Sequence, residues 1–324
     1  MPCDTFQPMS LRIAVLGAGA VGGYFGARLS RAGSDVVFIA RKGHLRAIRE
    51  RGLLVRSPLG DLLVQARGEE ETAKVGPVDL VLFAVKSYDV DGALASLHPL
   101  MGPETIVLTL QNGVDSPHQV AAAIGERPVL GGAAYIAASL SAPGLIEQTG
   151  TVRRIAFGEV FGPVRALSPR VERLREALAG ADIQAEAEAD GWGPLWKKYI
   201  FLAPIAALTG AARLPIGPLR DVPTFPDAFR AVAAEVEHVA RAEGADPGPG
   251  AVEAALDYIG TMAPSVRSSL LIDLQQGKRI EVESLLGALV RRGRAAGVPT
   301  PVSIALYTVL KPYEYGPRPE AASS

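Results

Sequence analysis

Apolar positions along the chain fall into two regimes. Up to about residue 188, short apolar runs alternate with stretches of helical spacing. The runs Leu11–Leu16, Val36–Ala40, Asp79–Val85, Thr105–Leu110, Val129–Ala137, Arg153–Gly158 and Ile183–Ala187 read as strands. Mostly apolar runs of this length are what strands covered on both faces look like. Val21–Leu29 has helical apolar spacing, with Gly33 placed as a C-cap. Leu53–Arg56 and Leu62–Ala66 flank Ser57-Pro58-Leu59-Gly60-Asp61, a hairpin signature, and Ala166–Ala179 reads as an amphipathic helix. Strand and helix in alternation predict a parallel, doubly wound α/β sheet.

The character changes at Asp190-Gly191-Trp192-Gly193-Pro194, beyond which helical patterns dominate and Pro194 fits a helix start. Tyr199–Ala212 is notably apolar, yet it is too short to span a bilayer and contains Pro204, so it reads as a buried helix. Arg213–Pro226 and Ala245–Gly250 read as loops rich in Pro or Gly. Ser269 and Asp273 share one helical face, Gly277 breaks the pattern, and Glu281–Ala296 forms a further helix. The tail after Pro312 is expected to fray. The division is therefore 1–188, with 1–10 as a flexible arm, and an all-helical C-terminal domain over 189–324.

Composition narrows the classes of function. Of 324 residues, 48% are hydrophobic, enough for two sizeable cores. A formal net charge of −1 argues against nucleic acid or an anionic membrane as the main partner. The basic run Arg291, Arg292, Arg294 reads as a solvated helix face. Cys3 is the only cysteine, which excludes an intrachain disulfide and is compatible with a cytoplasmic setting. Residues 1–10 lack the apolar core of a signal peptide. The four histidines, His44, His98, His118 and His238, show no metal-ligand spacing, so no metal site is expected.

Chemistry enters at the first turn. Gly17, Gly19 and Gly22 stand in G-x-G-x-x-G spacing between the first strand and first helix. Gly17 permits the tight turn, Gly19 lets backbone approach a pyrophosphate, and Gly22 lets helix pack on strand. This context predicts a Rossmann-type dinucleotide site. An acid at the end of the second strand would suit the ribose hydroxyl of NAD; Arg41 stands there instead, which predicts NADP(H). Lys86 and Asn112 lie at carboxyl ends of later strands, where open α/β sheets bind ligands. Reduction of a carbonyl also needs a group that stabilises or protonates the developing alkoxide. Lys197 and Lys198, in an apolar helical segment, are candidates; periodicity does not choose between them.

Taken in order, GAGAVGG at 17–23, AR at 40–41, VK at 85–86, QNG at 111–113, LWKK at 195–198, SSLLID at 268–273 and the stretch 279–301 resemble the ketopantoate reductase (2-dehydropantoate 2-reductase) family. The resemblance covers about Leu11 to Pro312. It implies NADPH-dependent reduction of a 2-oxo acid to a 2-hydroxy acid, nominally 2-dehydropantoate to pantoate, in a homodimer. By the same resemblance Lys198 matches the catalytic lysine, and Glu281 an acid that orients it or binds substrate. Ser269 matches a serine holding the substrate carboxylate, Asn112 an asparagine between nicotinamide and substrate, and Lys86 a cofactor-side lysine. Three positions depart from the family pattern: Leu202, Ala206 and Leu286 stand where asparagine is often found. Apolar replacements imply a substrate without a distal hydroxyl, such as a branched or aromatic 2-oxo acid. The alternatives are an imino-acid substrate, a catalytically idle NADPH-binding sensor, and another dehydrogenase with a helical second domain, such as one for glycerol phosphate or hydroxyacyl substrates.

Overall fold

The computed structural model describes residues 11–163 and 166–316; the arm expected at 1–10 lies outside the described residues. The chain divides into two compact units. One comprises the described residues up to Gln111 together with Ser116–Gly191, the other Asn112–Asp115 and everything from Trp192 onward.

The first unit is built from β1 (Arg12–Leu16), α1 (Ala20–Arg31), β2 (Asp35–Ile39), α2 (Lys42–Arg51), β3 (Leu53–Arg56), β4 (Leu62–Val64) and β5 (Arg67–Glu69). It continues through β6 (Leu80–Phe83), α3 (Val90–Ala93), β7 (Ile106–Thr109), α4 (Ser116–Ile124), β8 (Val129–Tyr135), β9 (Ala138–Ala142) and β10 (Leu145–Gln148). It ends in β11 (Arg154–Glu159), α5 (Pro169–Gly180) and β12 (Gln184–Asp190). Eight strands form one sheet in the order β12-β11-β8-β7-β6-β1-β2-β5. The apolar run of β1 is central in it, and Ile13, Ala14 and Val15 are closed off from solvent. The Rossmann-type architecture is as expected from the alternation, with one difference. β11 runs antiparallel to β8, so the sheet is mixed at that edge. The reversal follows from β9 and β10, which leave the main sheet as an antiparallel pair before the chain returns.

β9 and β10 join the expected β3–β4 hairpin in a second, four-stranded sheet of order β4-β3-β10-β9. This sheet lies against α1; a Cβ on Gly23 would come within 2.3 Å of the Ile146 side chain. The periodicity announced the β3–β4 hairpin but gave no sign of β9 and β10, because both are short and β9 is largely exposed.

The second unit is helical among the described residues: α6 (Trp192–Ala212), α7 (Ile216–Arg220), α8 (Phe225–Ala242), α9 (Ala251–Thr261), α10 (Ser269–Gln275), α11 (Ala288–Ala296) and α12 (Pro301–Leu310). Three expectations are corrected. The stretch Arg213–Pro226 is not a plain loop, since it holds α7 and the start of α8. The expected helix Glu281–Ala296 opens as a π-helical turn at Glu283–Gly287. The tail stays packed past Pro312 as far as Gly316, since Ile280 N–H donates to Glu314 O at 2.9 Å and the buried Glu314 carboxylate pairs with Arg279 and Lys311; residues 317–324 lie outside the described residues. No described helix is long and apolar enough to cross a membrane.

Candidate active site

The register sets Leu16 of β1 opposite Phe83 of β6, so the loops after these strands leave the sheet at one level. The strand order also reverses here: β2 lies on one side of β1 and β6 on the other. Such a reversal opens a crevice at the carboxyl ends of the strands. Gly17 has φ +104°, and a Cβ on it would lie 2.4 Å from Val85 N. A Cβ on Gly22 would lie 2.3 Å from Gly17 O. Gly19, the N-cap of α1, differs, because a Cβ there would meet nothing within 4 Å and no side chain caps the helix. Gly17 and Gly22 are thus required by packing, while Gly19 fronts open space at uncapped N–H groups. That arrangement fits the pyrophosphate of a dinucleotide.

Lys86 follows the Val85 that packs against Gly17, and it is half-buried. Arg41 is the exposed N-cap residue of α2. Among the described residues its guanidinium has no hydrogen bond or ion pair, which leaves it available to an anion.

Two polar side chains beside this loop had no role in the sequence reading. Gln111 donates from Nε2 to Phe83 O at 2.9 Å, and its buried Oε1 has no hydrogen-bond partner among the described residues. It was visible inside the QNG motif, but spacing gave it no function. His44 of α2 lies 2.7 Å from Ala18 O through Nε2 and accepts from Gly144 N–H at Nδ1, at 3.0 Å. A lone histidine with no metal spacing carries no sequence signal of such a contact.

The second unit gathers the other candidates. On α6, Lys197 is exposed and Lys198 half-buried, so the choice that periodicity left open now has a geometric contrast. Lys198 Nζ donates to Asn112 Oδ1 at 2.8 Å. Desolvation lowers the Lys198 ammonium to about 8, against the opposing pull of the Glu281 carboxylate, which favours the charged form. Glu281 is buried immediately ahead of the π turn.

Asn112 is held by its own short segment. Arg292 donates to Asp115 Oδ1 at 2.8 Å and to Val114 O at 3.3 Å, and it also pairs with Glu243. Gly113, at φ +88°, passes so close to the π turn that a Cβ would sit 2.8 Å from Ser284 O. The buried Tyr199 hydroxyl, whose ionisation is pushed up by desolvation, donates to Leu285 O in that turn. π turns interrupt the regular i→i+4 ladder and free carbonyls for such bonds.

Lys198, Asn112 and Glu281 are therefore brought together. Ser269 stands at the exposed start of α10, with its hydroxyl unpartnered among the described residues. Its neighbour Ser268 is committed instead, as N-cap to Leu271 N–H and partner of the Thr209 hydroxyl. Of the three apolar departures, Ala206 and Leu286 are each 1% exposed, whereas Leu202, one turn beyond Lys198, keeps accessible surface. A half-buried amine near neutrality, hydrogen-bonded to an amide and facing a buried carboxylate, can deliver a proton or positive charge to an oxyanion.

Comparison with known proteins agrees with this layout. A family model described as "Ketopantoate reductase PanE/ApbA" matches residues 13–162, and its C-terminal companion matches residues 192–314. The chain is similar to the 2-dehydropantoate 2-reductase of Archaeoglobus fulgidus, 32% identical over 94% of this chain and 98% of that one. Among solved structures, the 2-dehydropantoate 2-reductase of Geobacter metallireducens superposes with a TM-score of 0.87 at 29% identity, covering 93% of this chain and 99% of that one. A D-mandelate dehydrogenase in complex with NADH and anilino(oxo)acetate shares the fold, with a TM-score of 0.83 at 20% identity over 93% of this chain and 97% of that one. With both halves matched in order and the relatives covered almost end to end, this chain belongs to the ketopantoate reductase family of oxidoreductases.

Proposed function

We propose that this protein is an NADPH-dependent 2-oxo acid reductase, nominally converting 2-dehydropantoate to pantoate. The observation that carries the reading is the Lys198 amine, drawn down to about 8 and hydrogen-bonded to Asn112 beside the buried Glu281. A bound reduced nicotinamide would supply the hydride for C2 of the substrate. Lys198 then gives its proton, or its charge, to the C2 oxygen. Glu281 holds the ammonium form against the desolvation that would otherwise discharge it. Asn112 fixes where Nζ points, and Ser269 holds the substrate carboxylate. Gly17, Gly19 and Gly22 seat the pyrophosphate, Lys86 and Asn112 line the cofactor, and the unpartnered Arg41 takes the 2′-phosphate that distinguishes NADPH from NADH.

Leu202 supports a second reading of the substrate. An apolar side chain one turn from Lys198 discriminates poorly for a hydroxyl but accepts a branched or aromatic group. The deciding experiment follows NADPH oxidation at 340 nm with 2-dehydropantoate beside branched and aromatic 2-oxo acids. The highest kcat/KM for 2-dehydropantoate supports the nominal reaction. A higher value for an apolar 2-oxo acid assigns the enzyme to that class, and no turnover on any of them defeats both readings.

A further inference from the structure

The glycine loop is held from behind by a side chain outside the motif. Ala18, between Gly17 and Gly19, points its carbonyl at His44 Nε2, 2.7 Å away. On the other side of the ring, Nδ1 lies 3.0 Å from Gly144 N, in the turn between β9 and β10. A backbone N–H only donates, so Nδ1 is the unprotonated acceptor. The remaining hydrogen is therefore on Nε2 and is donated to Ala18 O. The ring is used as a neutral imidazole with both nitrogens committed, and its burial favours the uncharged form.

This bond has a consequence at the next amide. The Ala18–Gly19 peptide is planar and trans, so its carbonyl and its N–H point in opposite directions. Fixing the Ala18 carbonyl fixes the direction of the Gly19 N–H, which belongs to the uncapped start of α1. His44 lies three residues beyond Arg41 on the first turn of α2, so the same ring also ties the Arg41 end of that helix to the loop.

We propose that His44 is a positioning residue for dinucleotide binding, bridging the pyrophosphate loop, the Arg41 end of α2 and the β9–β10 turn through its Nε2–H tautomer. This rests on the dinucleotide reading above.

The test uses the full-length protein, NADPH as the probe, and three variants. His44→Gln places an amide N–H where Nε2–H stood. His44→Asn keeps an acceptor near Nδ1 but cannot reach Ala18, and His44→Ala removes both. NADPH Kd, read by fluorescence titration, should rise about 10-fold or more in the Ala and Asn variants and stay within about 3-fold in Gln, as expected for loss or retention of one pre-organising hydrogen bond. Thermal unfolding of each variant separates this from loss of fold. Ala and Asn variants that bind as the native protein does, or a folded Gln variant as weak as Ala, overturn the proposal. Should Ala and Asn fail to fold, the native protein decides by itself. Imidazole ¹⁵N spectra, assigned by loss of signals in His44→Gln, must show the Nε2–H tautomer for His44; the Nδ1–H tautomer overturns it. A native protein that binds neither NADPH nor NADH defeats the dinucleotide reading itself, an outcome distinct from failure of the tether alone.

Discussion

Lys198 is where a change of one residue should have the largest chemical effect. Its amine titrates near 8 because burial penalises the charged form more than Glu281 favours it. The sign for reduction follows: the protonated form, present below about 8, is the proton donor. Reductive kcat/KM should be level on the acid side of that value and fall about tenfold per pH unit above it. A pH profile flat through pH 10 would remove Lys198 from that role. Lys198→Ala should lower kcat by roughly 10²–10⁴, the range for losing one general acid, with NADPH Kd within about twofold. Glycines of the nucleotide loop separate by a different physics. At Gly22 a methyl would meet Gly17 O at 2.3 Å, so Gly22→Ala should cost about 2 kcal/mol or more in urea unfolding. At Gly19 it would meet no protein atom, so Gly19→Ala should leave stability within about 0.5 kcal/mol while weakening NADPH binding severalfold. Equal stability losses in the two variants would contradict this division.

At the scale of elements, α12 shows how one helix completes another. Its N-cap, Thr300, makes no side-chain cap, and Pro301 at the first helical position has no N–H to satisfy. The next two N–H groups, of Val302 and Ser303, donate instead to the Glu235 carboxylate of α8, at 2.8 and 2.9 Å. The Ser303 hydroxyl donates to the same carboxylate. Glu235 and Ser303 are both buried, so removal of the carboxylate strands the two Ser303 donors away from water and leaves the Val302 N–H without its partner. Glu235→Ala should therefore destabilise the protein by about 2–4 kcal/mol in chemical denaturation, well beyond an ordinary cap deletion. A loss under about 1 kcal/mol would show that water replaces the carboxylate. The π turn at Glu283–Gly287 is a second element-level device. Its freed Leu285 carbonyl takes the Tyr199 hydroxyl, joining the turn to the helix that carries Lys198.

For the whole molecule, the cofactor reading has a thermodynamic signature that does not depend on turnover. A ligand that binds only the folded state stabilises it by RT ln(1 + [L]/Kd), about 2.7 kcal/mol at a hundredfold excess over Kd. NADPH should raise the unfolding midpoint more than NADH at equal concentration. In Arg41→Ala that difference should vanish, because the unpartnered guanidinium is the group proposed to meet the 2′-phosphate. A variant that still prefers NADPH would place the discrimination elsewhere.

Short-range physics was legible in the chain. Apolar runs announced the central strands because strands covered on both faces must be apolar throughout, and the G-x-G-x-x-G spacing announced its turn because Gly17 and Gly22 leave no room for a side chain. The helical character after Trp192 was equally local. What depends on distant partners was not. The hairpin at 53–64 was legible, but its pairing with 138–148 in a four-stranded sheet was not, because β9 and β10 are too short to declare themselves. The antiparallel run of β11, the packing of Glu314 and the loop that became α7 depend on contacts that periodicity does not encode. Lys197 and Lys198 are indistinguishable by composition; only the fold puts one in water and the other against Asn112 and Glu281. His44 is the plainest case. Its two hydrogen bonds reach 26 residues back along the chain and 100 residues forward, so the sequence determined that an imidazole was available and the tertiary structure alone decided what it holds.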